Sequence, residues 1–480
     1  MLFQEDAKTM MRSITALLTT GMLAAALPAH AADAPLRPDQ QTFRDTYKEL
    51  VETNTTLSAG SCTLAAERMA ARLRAGGMPD SAINLYADPA HPKDGGLVAV
   101  YPGTSRTLKP MLLLAHIDVV EANRADWVRD PFTLIEEDGY FYARGTVDDK
   151  AQAAIWTDML ARFARESYKP KRTIKLALTC GEETSGAFNG AEWLTVNHKN
   201  WIDAEFALNE GGLGQTDGHG KVIAQTIQIG EKAYEDFTLT VTNPGGHSSQ
   251  PLPENAIYRL AAALQKVGGY EFPVQMNDTT RAFFRINGAA RRDETGAAMQ
   301  AIAANPSDQA AEAVLNRDKM FHSMLRTTCV ATMIGGGHAL NALPQRVTAN
   351  VNCRMFPGNT AQQTEAALTQ AIGDNQVKIE RRLTTKPLAI VPPLDPRLMR
   401  PAQTLMTRYF PGVPFVPTMS TGATDAVYTG AIGIPTYGVP GLYVDPDFNG
   451  LHGLNERMEV RALYTGRDFL TEYVKALASK

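Results

Sequence analysis

Two adjacent carboxylates, Glu182 and Glu183, follow Thr173–Leu178, a mostly apolar run that reads as a buried strand. In open α/β sheets, ligands bind at the carboxyl ends of the strands. Other polar residues stand in equivalent places. His116 follows the apolar run Met111–Ala115, and Glu210 closes Ala204–Asn209. Asp148 follows a short strand-like stretch, Phe141–Arg144, and His452 lies in the loop after Ile434–Gly438. Imidazole and carboxylate together suit zinc or a similar divalent ion. Five ligands exceed one tetrahedral site that keeps an open position, whereas two ions sharing a carboxylate would use them all. Without metal, three carboxylates in one cleft would repel and resist ionisation. Two such metal ions would lower the pKa of a shared water and clamp a developing oxyanion. Glu183 is expected to bind metal, and Glu182 to carry the proton between water and leaving group.

Each residue also has a plainer reading. Asp148 and Asp149 could cap a helix, Glu182-Glu183 could be a solvated turn, and Asp118 could simply close a turn. The sharper role for Asp118 is to orient His116. His30, His91, His198, His219, His322 and His338 read as surface or satisfied core residues. Joint placement at successive strand ends favours a site over these separate explanations. Ser248-Ser249 lack the GxSxG elbow of a serine hydrolase.

The elements that must position these groups alternate. A polar helical stretch over 32–60 and a helix over 65–75 precede strands at 95–101 and 111–115. Ala151–Ala164 has helical spacing, and strands at 173–178 and 204–209 follow. This alternation predicts an α/β class with a doubly wound, mostly parallel sheet. After about Gly230 the pattern changes. Strands at 237–242, 327–334 and 346–354 alternate like half-exposed strands, and 270–326 reads as mainly helical. An α+β insert with an antiparallel sheet is expected there. Helices near 395–410 and 459–478 resume the first pattern. The expected division is 1–31 signal peptide, 32–230 first part of the catalytic domain, 231–384 insert, and 385–480 second part.

The 480 residues carry 47 Lys and Arg against 51 Asp and Glu, a net charge of −4. That balance gives no electrostatic case for nucleic acid. Lys8 and Arg12 flank the apolar stretch Ile14–Leu27, and Ala29-His30-Ala31 fits signal-peptidase cleavage. Export to the periplasm or beyond is expected, with no membrane span in the mature chain. Cys62, Cys180, Cys329 and Cys353 form no CxxC pair. Three of the four sit in apolar, strand-like contexts and read as small buried hydrophobes. A Cys329–Cys353 bridge stays open, since both could lie in neighbouring strands.

Ordered motifs then carry a resemblance. His116-Ile117-Asp118, Arg144-Gly145-Thr146-Val147-Asp148-Asp149-Lys150, Gly181-Glu182-Glu183 and Asn209-Glu210-Gly211-Gly212 resemble those of a co-catalytic zinc hydrolase family. Its members include glutamate carboxypeptidase, carboxypeptidase S, aminoacylase-1, acetylornithine deacetylase and succinyl-diaminopimelate desuccinylase. Gly246-His247-Ser248, Asn341-Ala342-Leu343-Pro344 and His452 match in the same order, from about residue 40 to the end. The resemblance implies two zinc ions per chain, with cobalt or manganese as substitutes. His116 and Glu210 would hold one, Glu183 and His452 the other, and Asp148 would bridge them.

It further implies Glu182 as general acid/base, Asp118 as the orienting residue, and a cis Asp148–Asp149 peptide. The insert would be a lid and dimerisation domain, giving a homodimer. Its His247 would reach the neighbouring subunit's site, and Asn341 and Arg354 would bind the substrate carboxylate. The departures are mild: Gly422-Ala423-Thr424-Asp425 replaces Gly-Gly-Thr-Asp, and Ala342-Leu343 stands where Val-Ile is usual. Glu210 matches the carboxypeptidase and aminoacylase version, where some dipeptidase relatives carry Asp. The expected function is an exopeptidase, a carboxypeptidase or dipeptidase, acting on substrates with a free C-terminal carboxylate. The alternatives are an N-acyl-amino-acid deacylase and an inactive metal-binding relative.

Overall fold

The computed structural model describes residues 36–184, 187–382 and 387–479. The expected leader (1–31) and the expected boundary at 384/385 lie outside the described residues, as do Ser185 and Gly186.

The strands Met111–His116 and Ile174–Thr179 are buried at every position. Leu113 and Ala115 join the main core with Phe43 and Trp156, while Leu112 and Leu114 pack on the opposite face with Leu194 and Ile202. Alternate side chains therefore enter two apolar layers, which is why these strands read as unbroken apolar runs. The expected α/β class is borne out.

Ile174–Thr179, Met111–His116, Phe206–Asn209 and Thr436–Gly438 lie side by side in parallel. Antiparallel strands flank them: His91–Tyr101 and Ile83–Asp88 on one side, Val222–Glu231 and Gly214–Thr216 on the other. Phe415–Ser420 adds in parallel to Val222–Glu231. The sequence reading missed Ile83–Asp88, Val222–Glu231 and Phe415–Ser420. Gln225 and Gln228 are both buried in the second of these and interrupt its apolar pattern.

The insert holds an antiparallel sheet in the order Thr328–Gly336, Arg346–Met355, Ala233–Thr242, Lys378–Arg381. Helices Ala256–Gly268 and Ala361–Ile372 share its core. Helices between Asp278 and Met324 form a separate cluster that includes Val416. That part of the insert therefore leans on the Phe415–Ser420 strand.

The cysteine reading requires correction. Cys62 is bonded to Cys180 and Cys329 to Cys353, so none of the four is a free buried thiol. Cys329 and Cys353 face each other in register on neighbouring strands, the possibility the sequence had left open. Cys62 and Cys180 are 118 residues apart. The first turn of the Cys62–Ala75 helix lies beside the end of the Ile174–Thr179 strand, a tertiary proximity that spacing alone cannot reveal. Among the described residues, no helix is long and apolar enough to cross a membrane.

Candidate metal centre

Strand register brings the chemistry together. His116 pairs with Thr179 across the parallel ladder, so the chain after Thr179 runs directly to Glu182 and Glu183 beside the imidazole. Phe206–Asn209 lies on the other side of Met111–His116 and delivers Glu210. Asp148 ends the loop before the helix Lys150–Arg165, and its peptide bond to Asp149 is cis, as the resemblance implied. Asp149 sits at the N-cap but makes no side-chain capping bond.

Asp148 lies between two histidines. Its Oδ1 is 2.9 Å from Nε2 of His116, and its Oδ2 is 3.0 Å from Nε2 of His452. Glu210 Oε1 is 3.7 Å from the same His116 nitrogen, and Glu183 Oε1 is 3.0 Å from that of His452. Two groups of possible ligand atoms result: His116, Asp148 and Glu210, and Asp148, Glu183 and His452, each within 4.8 Å. Asp148 is shared. The donor set, neutral imidazole with carboxylates, fits zinc and similar divalent ions.

The electrostatics are those of a crowded acidic site. Burial pushes Glu182 and Glu210 well above the ordinary carboxylate range, with neighbouring carboxylates adding to the effect and His116 opposing it. Burial also raises Glu183, against the hydrogen bond from His452. Burial opposes the charge on His116, yet Glu210, Asp118 and Asp148 lift it well above the usual imidazole value. Hydrogen bonds to Asp148 and Glu183 push His452 up to about 10. Cations bound between these carboxylates would relieve their mutual repulsion.

Asp118 reaches both sides of the site. Its carbonyl lies 3.1 Å from Nδ1 of His116, and its carboxylate accepts the backbone N–H groups of Glu182 and Glu183. Sequence reasoning missed a second support for this loop. Asp425 is buried and accepts from Thr179 Oγ1 and Asn189 Nδ2, both at 2.8 Å. Asn189 Nδ2 also donates to the carbonyl of Gly181 at 3.2 Å. The Gly422–Asp425 stretch could have hinted at Asp425, but nothing in the sequence marked Asn189. A buried Arg144–Glu456 ion pair, at 2.7 Å, underlies Asp148 and was missed as well. A cavity of about 290 Å³ opens beside Asp148 and Glu210, walled in part by Leu213, Leu442, Leu451 and Thr424.

None of the three insert residues belongs to either ligand group. His247 pairs with Ala342 in a short ladder, and Ser248 N–H donates to the carbonyl of Asn341 at 3.0 Å. His247 and Asn341 thus meet each other on an exposed face of the insert. Arg354 lies on the sheet opposite Tyr234, its guanidinium 5.1 Å from the ring centre.

The profile of peptidase family M20/M25/M40 matches residues 112–476. The chain belongs to this family. The resemblance read from the motifs is therefore borne out, and the M20 chain is a hydrolase of the metallopeptidase and amidohydrolase type. It is 30% identical over 385 residues to the human N-fatty-acyl-amino acid synthase/hydrolase PM20D1, covering 78% of this chain and 75% of that one. Carboxypeptidase S of Saccharomyces cerevisiae is 24% identical over 424 residues, covering 79% and 73%. Among solved structures, an M20 family metallo-carboxypeptidase from Sulfolobus solfataricus superposes with a TM-score of 0.69 at 16% identity, covering 92% of this chain and all of that one. Such a likeness marks the M20 fold.

Proposed function

We propose that this M20 chain is an exported two-zinc exopeptidase, a carboxypeptidase or dipeptidase, that releases an amino acid bearing a free carboxylate. The observation that carries this reading is Asp148, each of whose oxygens faces a histidine, with Glu182 on the loop alongside. His116 and Glu210 would hold one ion, Glu183 and His452 the other, with Asp148 common to both. Cobalt or manganese satisfies the same donors. When bound, the ions polarise the scissile carbonyl and make water a competent nucleophile at neutral pH.

Glu182 takes the proton of the attacking water and delivers it to the leaving nitrogen. Burial raises its carboxyl, and dications held nearby would lower it, a balance suited to taking and returning a proton. Asp118 holds the Glu182–Glu183 backbone and the His116 ring. Arg354, a planar fork, and Asn341 would select the substrate carboxylate. His247 would complete the site of a second subunit, which makes the working form a homodimer. Export is supported by the N-terminal leader pattern and by the two disulfides, which persist in oxidising compartments.

A second reading, N-acyl-amino-acid hydrolysis, is favoured by the likeness to PM20D1 and by the leucines walling the cavity. It uses the same residues on a different acyl group. A panel of dipeptides, C-terminally extended peptides, N-acyl amino acids and their amidated counterparts, tested with zinc-loaded protein, separates the two. Turnover of peptides supports the first reading, and turnover confined to N-acyl amino acids replaces it with the second. Equal turnover of amidated substrates removes carboxylate selection. Silence across the panel rejects both substrate readings.

A further inference from the structure

We infer that Glu456 and Arg144 are positioning residues that latch the two loops bearing Asp148 and His452 in place for metal. Both side chains are almost completely buried, at 1% and 3% exposure. The Glu456 carboxylate is saturated by four donors. Its Oε1 accepts the backbone N–H of Val147 at 2.8 Å and of Asp148 at 3.2 Å. Its Oε2 accepts the N–H of Gly145 at 2.9 Å and Nη1 of Arg144 at 2.7 Å. A charged acceptor with several N–H donors is strong and directional. The backbone that presents Asp148 is therefore wrapped around one carboxylate.

Arg144 extends the latch to the other loop. Its Nη2 donates to the carbonyl of Gly453, next to His452, at 2.7 Å, and its guanidinium lies against Trp127, 5.0 Å from the ring centre. The loop it reaches needs holding. Phe448, Asn449, His452 and Asn455 all have φ between 55° and 58°, a region that side-chain-bearing residues seldom occupy. Such backbone persists where surrounding contacts over-determine it. Within the loop, Asn449 Oδ1 accepts the N–H of Asp445 at 2.8 Å. The Arg144 arm supplies a cross-link to Gly453 from outside.

The two residues act unequally. Glu456 works on Asp148, which belongs to both ligand groups, whereas the Arg144 arm works on the loop of His452, which belongs to one. The inference rests on the two-metal reading above and goes beyond its ligand assignments. Groups that orient metal ligands typically contribute 10–100-fold to metal affinity or activity.

The test is a zinc titration of the full-length apo-protein against a chromophoric chelator, with thermal melts to verify folding. Glu456→Gln should bind both ions 10–100-fold more weakly. Arg144→Lys should weaken one ion and leave the other as in the wild type. Asp158→Asn serves as a control, breaking a buried ion pair with Arg467 that contacts none of the five ligands. It should lower Tm with zinc affinity unchanged. Folded Glu456→Gln protein with wild-type affinity for both ions overturns the inference, as does equal weakening by Asp158→Asn. Should Glu456→Gln fail to fold, Arg144→Lys decides: equal loss at both ions, or none at either, overturns it. A wild-type protein that binds no zinc counts against the metal reading itself, which keeps the two failures apart.

Discussion

The carboxylate of Asp118 accepts the backbone N–H of Glu183 at 3.1 Å. The residue that follows one strand thereby fixes the loop that follows the next, while its own carbonyl steadies His116. Asp118→Asn keeps the size but sets an amide donor against N–H donors. A 10–100-fold fall in kcat with little change in KM is expected. Steady-state kinetics check it, and a wild-type kcat would take Asp118 out of the site.

Glu182→Gln preserves shape and removes the proton carrier. The variant should retain its metal by elemental analysis and lose 10²–10⁴-fold in kcat. A loss smaller than tenfold would reject the general acid/base assignment.

Chelation should abolish turnover, and added zinc should restore it. Ions that bind only the folded chain would stabilise it, so apo-protein should also melt earlier; each ion at 1,000 times its Kd would contribute about 4 kcal/mol. Elemental analysis should give two ions per chain. Full activity with one ion would contradict a shared Asp148.

Lys232 links stability to pH. It is fully buried at the junction of the main sheet and the insert, with Nζ bonded to Ser323 at 3.1 Å and Thr328 at 3.4 Å. Burial, with Arg354 and Arg326 nearby, pushes it down to about 7. The unfolded lysine titrates near 10.4, so between about 7 and 10.4 the unfolded chain binds the extra proton. Stability from this group therefore falls as pH drops through that window and levels off below about 7. Lys232→Met should raise stability at pH 7 by on the order of 1–4 kcal/mol, at 1.36 kcal/mol per pKa unit, with the gain shrinking toward pH 10. Melts at both pH values test it; an identical gain at each would discard the buried-charge explanation.

The Cys62–Cys180 bond closes a separation of 118 residues, against 24 for Cys329–Cys353. In the chain-entropy account, the losses on removal are up to about 5 and about 3.5 kcal/mol. Because Cys180 lies two residues before Glu182, the Cys62→Ser/Cys180→Ser protein should also lose kcat, whereas Cys329→Ser/Cys353→Ser should mainly lose Tm. Unchanged melting and turnover in the first variant would refute this link.

What the sequence made legible follows from local physics. Met111–His116 and Ile174–Thr179 are buried on both faces, so their apolar runs and polar ends stood out. Val222–Glu231 was hidden because buried Gln225 and Gln228 meet their partners only in the folded sheet, at Gly441 and Glu231. The same holds for the supports of the site. Glu456 lies 308 residues from the Asp148 amide it accepts, and Asp425 lies 246 from Thr179. Ligand residue types announce themselves by chemistry. The residues that aim them do so by tertiary contacts, which no spacing encodes.

His452 stands 304 residues after Asp148, the group it shares a centre with. A chain still emerging from the ribosome carries His116, Asp148, Glu183 and Glu210 long before it carries the last donor. One of the three residues of one ligand group is then missing, and the Gly453 carbonyl that Arg144 grips does not yet exist. On the two-metal reading, the centre is therefore completed only by the late return of the chain, after the strands that carry its other donors.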